Sequence, residues 1–342
     1  MHSAFDTRVA AARRAWPFGR VRVQAPARLH LGFLDPAGTL GRRFGSLGLV
    51  IDGPQTLVDI GRAESDSFEG LAGGAALERA RGHVETLRRA TGCHTPLVLR
   101  LRSALPAHAG LGSGTQLALA VGRAFCAAFD VPITTPQLAF VLGRGARSGV
   151  GVAGFDLGGL LLDGGPRADG SPAALLARIA LPDEWRVLLV LDPRAEGLSG
   201  AQEKAALARI APLPRTAAAE ICHEVLLRVL PGAAGAEFAP FAAGLTRMQQ
   251  LLGEHFAPAQ EGRAFTSEAV GRLLHWIARN TETGIGQSSW GPTGFAFLPS
   301  ESQAHALLAA ARAAGVVDPA LEVQVIRARN HGAVVADQRA GG

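Results

Sequence analysis

Residues 105–116 read LPAHAGLGSGTQ. Gly110, Gly112 and Gly114 fall within five positions, between PLVLRLRS (96–103) and QLALAVGRAFCAAF (116–129). The first flank alternates: Leu97, Leu99 and Leu101 on one side, Val98, Arg100 and Arg102 on the other. That predicts a half-buried strand. The second flank is an apolar helix whose end is marked by Asp130 and Pro132. Strand, glycine loop and helix in this order make an anion site. The first amides of the helix lack partners, and the helix dipole favours negative charge there. Glycine lets the backbone approach a phosphate and take positive φ, and Ser113 and Thr115 add hydroxyl donors. The GxGxG spacing is neither GxxxxGK[ST] nor GxGxxG, and no lysine is near. By itself the loop is equally a structural turn.

Two other stretches give it meaning, APARLHLGF (25–33) and GQSSWGPTGF (286–295). VRVQAPARLHLGF (21–33) predicts a strand, an interruption at Pro26, and a second extended piece. In that piece Leu29, Leu31 and Phe33 share one face, and Arg28 and His30 the other. SLGLVID (46–52) is a further short strand. Residues 75–90 predict a helix with Glu78, Arg81, Glu85 and Arg88 exposed. PQLAFVLGRG (136–145) is a short helix, and GFDLGGLLLDGG (154–165) a strand between glycine turns. WRVLLVLDP (185–193) is a buried strand opening a second domain, followed by two or three helices. SEAVGRLLHWIARN (267–280) carries Val270, Leu273, Leu274 and Ile277 on one stripe. Strands FAFLP (295–299) and LEVQVIRAR (321–329) flank a helix near 301–314. This mixture has no regular βαβ repeat and predicts an α+β protein of two domains, 1–180 and 181–342.

The 342 residues are 48% hydrophobic and 18% charged, a globular composition without an uninterrupted apolar span. Cys93, Cys126 and Cys222 form no framework or zinc pattern, which predicts a reducing, cytoplasmic setting. The formal charge of +5 comes almost wholly from arginine, with Lys204 the one lysine. It suits an anionic substrate, and equally a GC-rich coding bias. Aromatic residues are 6% and tyrosine is absent, so a nucleic-acid surface is not expected. The first twenty residues, with Arg8, Arg13, Arg14 and Arg20, lack a signal-type apolar run and are expected to be an extension.

PxxxGLGSG (Pro106 to Gly114) resembles the second motif of the GHMP kinase superfamily, usually PxxxGLGSSA. Gly114 and Thr115 stand here where Ser and Ala are usual. APARLHLGF and GQSSWGPTGF fit the first and third motifs in order. The third lacks the glycine run usual in the kinases. Together with RLHLGF and RSGVGVAGFDLGG (147–159), it resembles the β-ribofuranosylaminobenzene 5'-phosphate synthase family. That resemblance implies a GHMP kinase-like fold, with a ribosomal protein S5 domain 2-like N-terminal domain and a ferredoxin-like C-terminal domain. It implies a homodimer, and a decarboxylating phosphoribosyltransferase of tetrahydromethanopterin biosynthesis. The substrates would be phosphoribosyl pyrophosphate (PRPP), arriving with Mg²⁺, and a para-substituted benzoate, 4-aminobenzoate or 4-hydroxybenzoate.

Under this resemblance Gly110, Leu111, Gly112, Ser113, Gly114 and Thr115 cradle phosphate. Gln287, Ser288, Ser289, Trp290, Gly291 and Thr293 face them, with Trp290 stacking on the aromatic acid. Arg28 and His30 clamp a carboxylate or phosphate, and Arg147 and Ser148 join the substrate site. Asp156 binds ribose hydroxyls, organises Mg²⁺ or favours the cationic transition state. An ATP-dependent small-molecule kinase is the alternative. So are plainer roles: Trp290 as core, His108 as a loop residue, Arg28 and His30 as ladder residues. VLLVLDPRAEGLSG (187–200) only superficially suggests an ordinary phosphoribosyltransferase loop, although Arg194, Glu196 and Glu203 border the expected site.

Overall fold

The structure, a computed structural model, describes residues 16, 19–70, 74–167, 173–198 and 200–339. The expected N-terminal extension, with Arg8, Arg13 and Arg14, lies outside the described residues.

Two sheets organise the chain. The first is a seven-stranded sheet in the order β11-β1-β2-β4-β3, with β5 and β6 branching from β2. Its centre is a long antiparallel hairpin of β1 (Arg20–Asp35) and β2 (Phe44–Arg62). Pro26 does not interrupt β1. The ladder slips between Pro26 and Arg28 and again between His30 and Gly32. Such bulges absorb an extra residue and re-aim the side chains that follow. SLGLVID is likewise the middle of the 19-residue β2 rather than a strand of its own.

Beyond β3 (Ser67–Gly70) come α1 (Gly74–Thr91), β4 (Leu97–Ser103) and α2 (Ser113–Ala128). Val84 and Leu87 of α1 and Leu117, Val121 and Phe125 of α2 pack on Val21, Val23, Val58 and Ile60 of the sheet. Arg88 is not on the exposed face of α1. It is buried and paired with Asp66 at 2.7 Å. Arg100 of β4 is buried too, against Glu69 at 2.7 Å. Next come α3 (Thr135–Val141), α4 (Val150–Leu157), β5 (Leu160–Asp163) and β6 (Leu175–Ile179). The stretch expected as strand between glycine turns therefore begins as helix α4, and only its second half is strand.

The second sheet is antiparallel, in the order β10-β7-β9-β8. Its strands are β7 (Arg186–Leu191), β8 (Gly284–Gln287), β9 (Thr293–Leu298) and β10 (Glu322–Ile326). Reading them in chain order, the sheet runs fourth, first, third, second. With helices between the first and second strands and the third and fourth, this is ferredoxin-like topology. Five α-helices, more than expected, separate β7 from β8: α5 (Gly200–Arg209), α6 (Arg215–Glu224), α7 (Leu230–Ala234), α8 (Phe238–Phe256) and α9 (Glu268–Asn280). α10 (Glu301–Ala313) precedes β10. One face of this sheet packs on α9 and α10. The other joins Leu29, Leu31, Leu47 and Leu49 of the first half to Leu189, Phe241, Phe295 and Phe297 of the second in one core.

The division at 180 separates the sheets with one exception. β11 (Val334–Gln338) returns to the first sheet and pairs antiparallel with β1, Arg20 opposite Gln338. No helix among the described residues is long and apolar enough to cross a membrane.

Candidate functional site

The site forms where the β8–β9 turn of the second sheet presses into the first half. Ser289 N donates to His30 O at 3.1 Å. His30 N donates to Ser288 Oγ at 2.9 Å, and Ser288 Oγ donates to Gly110 O at 2.7 Å. Three stretches far apart in sequence are thus tied through one hydroxyl. Gly110 has φ 82°, and a Cβ there would collide with the Ser288 carbonyl. Glycine at 110 is a requirement of this close approach.

Gly112 caps α2 in the left-handed conformation, φ 81° and ψ 18°, and no side chain caps the helix. The amide of Thr115 is used on Gly112 O at 3.1 Å, so those of Ser113 and Gly114 are the donors left for an anion. A Cβ on Gly112 would stand 3.1 Å from Arg28 Cγ, and one on Gly151 would stand 3.9 Å from Arg28 Nε. The Arg28 side chain lies between these two glycines, one from the glycine loop and one from α4.

Arg28 donates Nη1 to Gly110 O at 2.7 Å, while its buried Nε has no partner. Burial pulls its pKa down to about 10, which still leaves it cationic near neutrality. Arg147 donates to Glu203 of α5 at 2.6 Å, and its buried Nη1 is unpartnered. Burial and then the charges of Arg28 and Arg147 push the His30 pKa down to about 3. His30 is therefore neutral near pH 7 and brings no positive charge of its own.

A second cationic group borders the loop. A Cβ on Gly114 would lie 3.2 Å from Arg144 Nη1. Burial, then Arg144 and Arg79, lower the His83 pKa to about 4. Buried nitrogens of Arg79, His83 and Arg144 all lack partners. Arg79 and His83 stand four residues apart on α1, so they share a face. That spacing was the available signal, masked by the alternating charges of the same helix.

Several expected site residues serve the frame. Ser288 is fully buried, and its hydroxyl is spent on the bridge just described. Gln287 receives the Thr266 amide and donates to Gln260 Oε1 at 2.8 Å. Leu111 is core, its carbonyl accepting from Arg28 N at 3.1 Å. Thr293 is buried at the start of β9, and Gly291 packs on Ala109 and Gly110. Ser148 faces Asp163 at 3.3 Å, whose carboxylate also takes the amides of Gly149 and Gly165.

Asp156 lies away from Arg28. It is exposed near the end of α4, accepts from Thr135 Oγ1 at 2.7 Å, and lines a recess with Arg144, Pro136 and Ala139. The reason is helical geometry. Gly151 faces Arg28, and a residue five positions later lies well round the helix. Ser113, Gly114 and Thr115 stay at the loop, and Trp290 is buried against Phe256 with ring centroids 4.6 Å apart. Glu203 borders the site as expected. Arg194 is tied to Asp192 and Asp318 at 2.8 and 3.2 Å.

The family profile described as GHMP kinases N terminal domain matches residues 78–159, and that described as GHMP kinases C terminal matches 234–317. The chain is 34% identical over 294 residues to the beta-ribofuranosylphenol 5'-phosphate synthase of Archaeoglobus fulgidus, covering 82% of this chain and 89% of that one. The protein of the same name from Methanothermobacter thermautotrophicus is 29% identical, covering 79% and 86%. Among solved structures, Streptococcus pneumoniae phosphomevalonate kinase superposes with a TM-score of 0.67 at 12% identity, covering 91% of this chain and all of that one. A putative homoserine kinase of Listeria monocytogenes gives 0.63 at 20% identity, covering 94% and 100%. These two likenesses concern the fold.

Proposed function

Because the chain belongs to the β-ribofuranosylphenol 5'-phosphate synthase family, enzymes of pentosyltransferase type built on the GHMP kinase fold, we propose that it condenses PRPP with a para-substituted benzoate. The bond from ribose C1 to pyrophosphate breaks, giving C1 oxocarbenium character. The ring carbon bearing the carboxylate attacks C1. Loss of CO2 returns the electron pair to the ring, and the product is a C-riboside 5'-phosphate. The relatives' name is that of a phenol, which favours 4-hydroxybenzoate over 4-aminobenzoate as the acceptor.

The observation that carries this reading is Arg28, a guanidinium enclosed between the phosphate loop and α4 whose one hydrogen bond among the described residues goes to a carbonyl. A buried cation without a carboxylate in contact suits an anionic ligand. PRPP carries phosphate at both ends, and two cationic groups flank the loop. Arg28 with Arg147, and Arg144 with Arg79, divide the pyrophosphate and the 5'-phosphate between them, the neutral His83 lying beside the second pair. The chain contributes positioning and charge stabilisation. Mg²⁺ arrives with the substrate, bound to the oxygens of PRPP.

The test is to incubate the protein with Mg²⁺, PRPP and carboxyl-labelled 4-hydroxybenzoate, and separately 4-aminobenzoate, and to count released CO2. Release that needs both PRPP and protein is the expected result. A folded protein that releases none from either acid overturns the reading and sends the search to ATP consumption.

A further inference from the structure

Beside the phosphate loop is a narrow recess between β1, α8 and the β8–β9 turn. Phe33, Leu252, Phe256 and Trp290 give it apolar walls. Its polar lining is His30, Gln249, Gln260, Gln287 and Ser289. The glutamines are spent on the protein. Gln249 donates to Leu31 O and accepts from Gln287 N. Gln287 is held by Thr266 and Gln260, and Gln260 donates to Arg263 O and accepts from Thr266 Oγ1 at 2.9 Å. Ser289 gives its amide to His30 O.

His30 differs. It is only 4% exposed, and its Nε2 has no partner. Leaving such an atom unmet costs stability, so it needs a reason. Phe33 holds the ring edge-on at 4.6 Å. With the ring proton on Nδ1, Nε2 is an acceptor.

We propose that this recess, with room for about 40 Å³, takes the para substituent of the acceptor, which donates a hydrogen bond to His30 Nε2 while the ring lies at the open mouth. His30 then selects a para hydroxyl or amine over groups that only accept. The inference rests on the transferase reading and gives His30 a role in it other than anion clamping. A carboxylate is rejected from that end, because an acceptor nitrogen repels it. The carboxyl-bearing carbon, para to the donor, is therefore left at the opposite end of the ring. As that carbon attacks, positive charge grows on the para oxygen, so the hydrogen bond to Nε2 strengthens on the way to the transition state.

Calorimetric titration of the full chain with 4-hydroxybenzoate, 4-aminobenzoate, 4-methoxybenzoate and benzoate tests this. The hydroxyl and amine acids should bind about tenfold tighter than the other two, the worth of one buried hydrogen bond. His30→Phe should erase that preference, and His30→Gln, whose Oε1 also accepts, should keep it. The charged groups facing His30 are Arg28 and Arg147, the latter paired with Glu203. With His30 neutral, affinity for 4-hydroxybenzoate should stay flat from about pH 8 to about pH 6. A titrating imidazole that clamped the carboxylate would tighten binding across that range.

Equal binding of 4-methoxybenzoate and 4-hydroxybenzoate by the wild type overturns the proposal. So does a folded His30→Phe variant that still discriminates, or affinity that rises towards pH 6. If CO2 is released from PRPP and the benzoate without such discrimination, only this inference falls. If a folded chain neither binds a benzoate nor releases CO2, the transferase reading falls with it.

Discussion

Arg28 and His30 are two residues apart on one strand, and their surroundings set them to opposite tasks. Arg28 stays charged and lacks a carboxylate in contact. Replacing it with methionine keeps much of the volume and removes the charge. We expect kcat/KM for PRPP to fall about 10²- to 10³-fold, as when one pre-placed donor is removed from a developing anion, with the melting temperature little changed. Arg28→Lys should rescue it poorly, because an ammonium does not reproduce the planar fork that reaches Gly110 O. In the second cationic group, Arg144→Ala should raise the KM for PRPP by about tenfold or more, the loss of one charge-assisted contact. His30 makes a prediction of a different kind. Its folded pKa, about 3, lies below its ordinary 6.5. The unfolded chain therefore binds a proton that the folded chain refuses. The stability this residue contributes is present above pH 6.5 and is lost as pH falls towards about 3. At pH 5 the wild type should have lost about 2 kcal/mol from this group. Urea unfolding at pH 7 and pH 5 should show that much less pH dependence in His30→Gln.

The elements show how far the sequence could be read. The strand, loop and helix around GLGSG follow from leucine alternation, glycine spacing and an apolar run, and all three are where these signals put them. The continuity of β1 was not legible at Pro26, because proline in a strand ordinarily signals an end, and only the bulged pairing with β2 accommodates it. α4 was hidden because VGVAGFDL carries glycines and β-branched residues that disfavour a helix in isolation. Burial of Val150 and Phe155 overrides that preference, and the helix turns Asp156 away from Arg28 towards Thr135 and the recess it lines with Arg144. Ser288 was read as a phosphate donor because a hydroxyl in a glycine loop has that role elsewhere. Its actual partners come from β1 and Gly110, residues more than 170 positions away, and no local pattern announces them. At this scale α9 offers a clean test. Ser267 accepts from Val270 N at 3.3 Å and donates to the buried Asp192 at 2.7 Å. Ser267→Ala removes the cap and one partner of a carboxylate, so a loss of about 1–3 kcal/mol is expected in urea unfolding.

A chain of 342 residues with two sheets would ordinarily be expected to unfold in parts. Three features argue otherwise here. The cluster containing Leu29, Leu31, Phe241 and Phe295 belongs to neither half alone. β11 closes the first sheet only after the second is complete, so the C-terminal segment holds both together. The phosphate loop is tied to the β8–β9 turn by buried hydrogen bonds through Ser288, whose loss would strand polar groups away from water. The first half cannot keep Leu29 and Leu31 buried without the second, and the second cannot cover Phe295 without the first. The two sheets should therefore melt together. Three of the four tryptophans, Trp185, Trp276 and Trp290, lie in the second half, so fluorescence weights its packing, while circular dichroism follows the helices of both halves. The two urea transitions should coincide. If PRPP binds at the glycine loop, which the β8–β9 turn braces, it should shift them to higher urea by the same amount. Separate transitions, or a ligand shift seen by one probe alone, would mean that the shared core does not make the halves one cooperative unit. The site would then be assembled by docking of two independently stable bodies.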